Sequence, residues 1–137
     1  MSERLYWDKF YKKHNKTPFE WIIDTSSINE ILDQIDSSKK NVEHKTLLFD
    51  VGCGTSMFSS RLSSSLCKPN HLVCGDFSRQ ALEILKSNNA LANNNIDFVQ
   101  CDCKNLPFRE NIFDLILGMN NKRIQYFIYV YVFLSEY

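Results

Sequence analysis

The 137-residue sequence carries no excess charge of either sign: sixteen Lys and Arg offset sixteen Asp and Glu. A protein that wraps nucleic acid normally has a basic face, and this balance argues against that class while leaving room for a small local patch. Cysteine pairs at metal spacing are also missing. Cys53, Cys67, Cys74, Cys101 and Cys103 contain no C-x-x-C, and only His14, His44 and His71 accompany them. Neither a zinc site nor a disulfide framework follows from such spacing, so free thiols in a reducing compartment are expected. Long apolar runs are absent too. The longest, Tyr126–Leu134, has nine residues, against the ~20 that a membrane helix needs. Met1–Asn15 holds Glu3 and Asp8 and no apolar stretch, so it reads neither as a secretory signal nor as an ordinary mitochondrial presequence. The expectation is an intracellular chain, cytoplasmic by default, with no membrane partner.

What is present is the composition of one soluble domain: 44% apolar and 23% charged residues, too apolar for disorder. Residues Glu3–Lys13 read as a helix with Tyr6, Phe10 and Trp7, Tyr11 at spacing four. Together with Phe19 and Trp21 these rings are too much apolar surface for a solvated tail. They predict either simple packing on the sheet or a lid over a cofactor or substrate. Ser27-Ile28-Asn29-Glu30 reads as a capping box opening a helix with Ile28, Ile31, Leu32 and Ile35 on one stripe. From Thr46 the pattern becomes short apolar strands alternating with helices. Strands are predicted at Thr46–Val51, His71–Gly75, Ile96–Gln100 and Ile112–Leu117, the last opened by Phe113-Asp114. Helices are predicted at Met57–Leu66, with Phe58, Leu62 and Leu66 aligned, and after Ser78, with Ala81, Leu82 and Leu85. This alternation implies an α/β fold with a Rossmann-like, doubly wound parallel sheet and right-handed crossovers. The expected organisation is an N-terminal helical lid or appendage over 1–45, a cofactor-binding βαβ unit over 46–117 and an atypical aromatic tail over 118–137.

The strongest motif is Asp50-Val51-Gly52-Cys53-Gly54-Thr55-Ser56. Two glycines after a strand allow a tight turn and close approach of a ligand, and the next helix offers free N–H groups. They can equally make a plain turn. Nicotinamide and flavin sites need a third glycine where Met57 stands, and usually an apolar residue where Asp50 stands. A carboxylate beside the turn suits a cationic amine, such as that of S-adenosylmethionine. Asp76 ends the second strand, where its two oxygens can accept from both ribose hydroxyls. Asp102 follows the third strand and can accept from the adenine exocyclic amine, with the Cys103 N–H donating to a ring nitrogen. Phe77 and Leu106 are apolar candidates for the adenine faces. Acidic residues at strand ends also form turns, but three at successive strand ends beside a glycine loop favour a site.

Leu47–Ser56, Gly75-Asp76-Phe77-Ser78, Cys101-Asp102 and Phe113–Leu117 resemble the successive motifs of class I S-adenosylmethionine-dependent methyltransferases. Tyr6–Tyr11 and Phe19-Glu20-Trp21 resemble the methyltransferase-like branch, which includes protein-lysine methyltransferases acting on citrate synthase or elongation factor. Cys53–Ser56 with Asp76-Phe77-Ser78 looks closest to the citrate synthase type. The resemblance implies S-adenosylmethionine as cofactor and a protein lysine as acceptor; from the cysteine and histidine spacing no metal is expected. By position, Asp50, Gly52 and Gly54 would meet the methionine end, Asp76 the ribose, and Asp102 with Cys103 the adenine. A mitochondrial location is a second implication of the branch. Ser56 departs from the branch's frequent third glycine, and Gly118-Met119-Asn120 stands where members continue with Asp-Lys-Gly. The fold is therefore expected to be incomplete after the fourth strand, and a truncated, non-catalytic S-adenosylmethionine-binding or interaction fragment is the competing reading.

No catalytic residue is named, because displacement at a sulfonium methyl by a neutral amine can run on positioning and desolvation. His44 and His71 read as ordinary surface or packing residues. Nucleic acid is not the expected acceptor: the three prolines, Pro18, Pro69 and Pro107, form neither an Asn/Asp-Pro-Pro-Tyr motif nor a Pro-Cys nucleophile.

Overall fold

The computed structural model describes residues 3–14, 45–65, 70–89, 95–118 and 131–132. In chain order these form α1 (Glu3–Lys13), β1 (Thr46–Val51), α2 (Phe58–Ser65), β2 (Asn70–Asp76), α3 (Arg79–Asn89), β3 (Ile96–Gln100), β4 (Leu115–Gly118) and β5 (Tyr131–Val132). The strands lie side by side in the order β3-β2-β1-β4-β5. The first four run parallel, and β5 pairs antiparallel with β4. The expected helix at 28–35, Phe19, Trp21 and most of the aromatic tail lie outside the described residues.

Burial explains why β1 reads as a continuous apolar run. Neighbours Leu48 and Phe49 point to opposite faces and are both 0% exposed, as a strand at the centre of a parallel sheet requires. On one face Leu48, Leu72, Leu115 and Leu117 pack with Phe58 of α2 and with Leu82 and Leu85 of α3. On the other, Phe49 stacks on Phe113 with ring centroids 4.8 Å apart, and Phe108 meets it edge-on at 5.2 Å.

The helix starts follow from hydroxyl caps. Ser78 Oγ accepts from Ala81 N at 3.3 Å, opening α3 as expected. Ser56 Oγ accepts from Phe58 N at 3.1 Å at the start of α2, which spans Phe58–Ser65 and opens one residue later than the sequence suggests. Strand β2 is one residue longer at each end than the sequence suggests, because Asn70 pairs with Thr46 and Asp76 with Gln100.

The fourth strand departs most. It spans Leu115–Gly118, not Ile112–Leu117. Asp114 holds the chain out of the ladder: its N–H donates to Leu47 O at 2.9 Å, and its Oδ2 accepts from Leu47 N at 2.8 Å. A side chain thus replaces the backbone acceptor, and parallel pairing starts only at Leu48 and Leu115. Gly118, read as the start of the tail, closes the strand.

Candidate cofactor site

The C-terminal ends of β1, β2 and β3 build one edge. Past Val51 the backbone turns with Gly52 at φ 73° and Gly54 at φ 55°, the left-handed region that costs other residues ~1–2 kcal/mol. The turn is fixed to β2, since Gly52 N and Cys53 N both donate to Gly75 O, at 2.8 and 3.1 Å. The two glycines differ in surroundings. A Cβ on Gly52 would meet nothing within 4 Å, whereas one on Gly54 would lie 2.5 Å from the Tyr11 hydroxyl.

Asp76 joins this loop to the second strand. Its Oδ2 accepts from Gly54 N at 2.8 Å and its Oδ1 from Ser78 N at 2.7 Å. Burial pushes its carboxyl up, the Ser78, Gly54 and Phe77 N–H groups pull it back, and the Asp8 charge adds to the rise. Each oxygen keeps lone-pair capacity for a further donor. Asp50 is buried in β1, level with Cys74 of β2 and Leu117 of β4. The Cys53 thiol is pushed well up, first by its hydrogen bond with Cys74 and then by burial. It stays protonated and serves the loop, donating to Gly54 O at 3.8 Å.

The third strand brings in the rest. Cys101 N donates to Asp76 O at 3.0 Å, and Asp102 then opens a turn in which its Oδ1 accepts from Lys104 N at 2.9 Å. Cys103 is exposed within that turn. Phe77 is half-buried, and its carbonyl accepts from Gln100 Nε2 at 3.2 Å. All seven residues expected at a cofactor, Asp50, Gly52, Gly54, Asp76, Phe77, Asp102 and Cys103, therefore belong to this edge. Among the described residues no group of His, Cys, Asp and Glu is arranged to hold a metal, and no helix is long and apolar enough to cross a membrane.

Helix α1 lies beside the same edge. Asp8 Oδ1 accepts the Ser78 hydroxyl and lies 3.5 Å from Gln80 N, so α1 is pinned to the start of α3. Trp7 stacks on Tyr11 at 5.9 Å, and Tyr11, 6% exposed, is the buried ring of the helix. Tyr11 and Asp8 are missing from the residues singled out by sequence as site residues. The signals were the aromatic cluster, for Tyr11, and the Tyr6–Tyr11 motif that holds both residues, and neither says which side chain faces the loop.

A glycine turn and strand-end carboxylates, at the edge where the strand order reverses about β1, define a nucleoside-binding Rossmann-like domain. Residues 48–128 match the family model described as a methyltransferase domain, and the chain belongs to that family, in its class I, S-adenosylmethionine-dependent form. It is 27% identical over 112 residues to the mouse eEF1A lysine and N-terminal methyltransferase, covering 82% of this chain and 15% of that protein. It is 35% identical over 87 residues to a demethylmenaquinone methyltransferase of Staphylococcus epidermidis, covering 61% and 36% respectively. Among solved structures, a candidate S-adenosyl-L-methionine-dependent methyltransferase from Methanococcus maripaludis superposes with a TM-score of 0.57 at 26% identity, covering 83% of this chain and 49% of that one. The chain thus spans well under half the length of the curated relatives it matches. The cofactor is S-adenosylmethionine, and the residues present fit it: open space over Gly52, two buried strand-end carboxylates and a buried tyrosine hydroxyl beside the loop.

Proposed function

We propose that this chain is the cofactor-binding part of a methyltransferase that passes the methyl group of S-adenosylmethionine to a protein lysine amine. The observation that carries the reading is the Asp76 carboxylate, oriented by Gly54 N and Ser78 N at the end of β2. In this reading Asp76 accepts from the ribose hydroxyls, Asp50 faces the methionine amine, and Gly52 and Gly54 let the backbone approach. Asp102 accepts from the adenine amine, the Cys103 N–H donates to a ring nitrogen, and Phe77 with Leu106 flanks the base. When bound, the cofactor supplies an electrophilic methyl group on a sulfonium. The chain's own residues hold and orient it, and the acceptor amine must arrive neutral and in line.

The lysine acceptor rests on the mouse relative, whose similarity takes in 82% of the chain. A small-molecule acceptor is the second reading, favoured by the higher identity, 35%, to the demethylmenaquinone methyltransferase. Calorimetric titration with S-adenosylhomocysteine, with NADH as control, tests the site. The former should bind and the latter should not, and the reverse would refute the assignment. Tritium transfer from labelled S-adenosylmethionine into purified eEF1A or into reduced demethylmenaquinone separates the acceptors, with lysine methylation read by mass spectrometry.

A further inference from the structure

Among the described residues, the Tyr11 hydroxyl beside the glycine loop is buried without a partner: the residue is 6% exposed and its hydroxyl makes no hydrogen bond. Buried hydroxyls are nearly always paired, so an orphan at a ligand-binding edge points to a group the ligand brings. Its place is well defined. The oxygen lies against Gly54, 2.5 Å from where a Cβ would stand, and the Trp7 ring stacks behind it at 5.9 Å. Asp76 accepts from Gly54 N and Ser78 N, and among the described residues it does not accept from the phenol. Burial first, then the Asp76 charge and Cys53, hold the phenol protonated, and it can act as a donor.

The proposed site gives the cofactor's amine to Asp50, its ribose to Asp76 and its adenine to Asp102 and Cys103. The α-carboxylate of the methionine end accepts only, and none of these residues offers it a donor side chain. We infer that Tyr11 donates a hydrogen bond to that α-carboxylate, which makes α1 part of the cofactor site. Asp8 is then a positioning residue: through Ser78 and Gln80 it fixes α1 so that the phenol overlies Gly54. The inference rests on the reading that the Asp76 edge holds S-adenosylmethionine.

The experiment compares two ligands on the full chain by calorimetry. S-adenosylhomocysteine carries the amino-acid end, and 5′-methylthioadenosine is the same nucleoside thioether without it. Tyr11→Phe keeps the ring and its stack on Trp7 and should weaken S-adenosylhomocysteine by about tenfold or more, as loss of a hydrogen bond to a charged group does. Its affinity for 5′-methylthioadenosine should stay within about twofold of wild type, since that ligand lacks the carboxylate. Asp76→Ala should weaken both ligands, because both carry the ribose. Unchanged S-adenosylhomocysteine affinity in Tyr11→Phe, or equal loss for both ligands, overturns the role of Tyr11. In that event an Asp76→Ala loss on both ligands leaves the site reading standing. A wild-type chain that binds neither ligand overturns both. Thermal melting of the unliganded variants, expected to match wild type for Tyr11→Phe, separates lost contact from lost fold.

Discussion

Gly54→Ala tests the contact between α1 and the glycine loop directly. An alanine at φ 55° carries the left-handed penalty of ~1–2 kcal/mol, and Gly52→Ala at φ 73° carries the same. At Gly52 nothing else is added, because among the described residues nothing beyond its chain neighbours lies within 4 Å of the new methyl group. At Gly54 the methyl group would sit 2.5 Å from the Tyr11 oxygen and 3.3 Å from the ring carbon that bears it. That ring is buried against Trp7 and Phe10 and cannot swing away freely, so an overpacking cost of ~1–3 kcal/mol applies. Gly54→Ala should therefore lose about 2–5 kcal/mol of unfolding free energy, and Gly52→Ala about 1–2. Tyr11→Phe removes the clashing oxygen and leaves only the 3.3 Å contact, so it should rescue part of the loss. Urea unfolding followed by circular dichroism on Gly54→Ala, Tyr11→Phe and the double variant measures this. A coupling of about 1–2 kcal/mol is expected, within the range for residues in contact. Additivity within ~0.5 kcal/mol, or equal costs at the two glycines, would show that Tyr11 does not overlie Gly54.

Asp76→Ala should cost about 2–3 kcal/mol of S-adenosylhomocysteine binding, and Asp102→Ala less, because the adenine keeps the Cys103 N–H. Calorimetry checks both, and equal affinity for an analogue lacking the exocyclic amine would remove the case for Asp102. Burial raises the folded-state pKa of Asp76 above its ordinary 3.8. Its contribution to stability is then fully present below that ordinary value and is lost as pH rises through the raised one. Denaturant unfolding of wild type minus Asp76→Asn should fall with pH across that window, and a rising difference would contradict the burial argument. Ser78→Ala removes the cap on α3 and the anchor of Asp8 together, and should cost about 1–2 kcal/mol by thermal melting.

How far the sequence carries this fold depends on where each boundary is written. Thr46–Val51 and Ile96–Gln100 were legible to the residue because each apolar run stops at a turn residue or a polar cluster. Ile112–Asp114 was not, since Ile112 and Phe113 have strand chemistry and only the pairing of Asp114 with Leu47, 67 residues away, keeps them out of the sheet. The site divides in the same way. Asp76 announces itself because it ends an apolar strand 22 residues after Gly54, its hydrogen-bond partner. Tyr11 does not. Tyr6 and Tyr11 share one helix and one chemistry, yet Tyr6 is 55% exposed and Tyr11 6%. Which face of α1 turns inward is set by the Asp8 contact to Ser78, 70 residues along the chain, and no local periodicity encodes that.

That long-range contact also gives the loop its asymmetry. Gly52 and Gly54 share a left-handed backbone, so conformation alone would make them equivalent. Packing makes them different: one faces open space, and the other lies under a phenol. The open side of the loop is therefore at Gly52, beside Asp50 and the end of β1, while the Gly54 side presents a buried hydroxyl and the N–H that Asp76 holds. The second glycine is thus needed twice, for the turn and for the space that Tyr11 fills. The N-terminal helix that reads as an appendage in the sequence packs directly over the glycine loop through Tyr11.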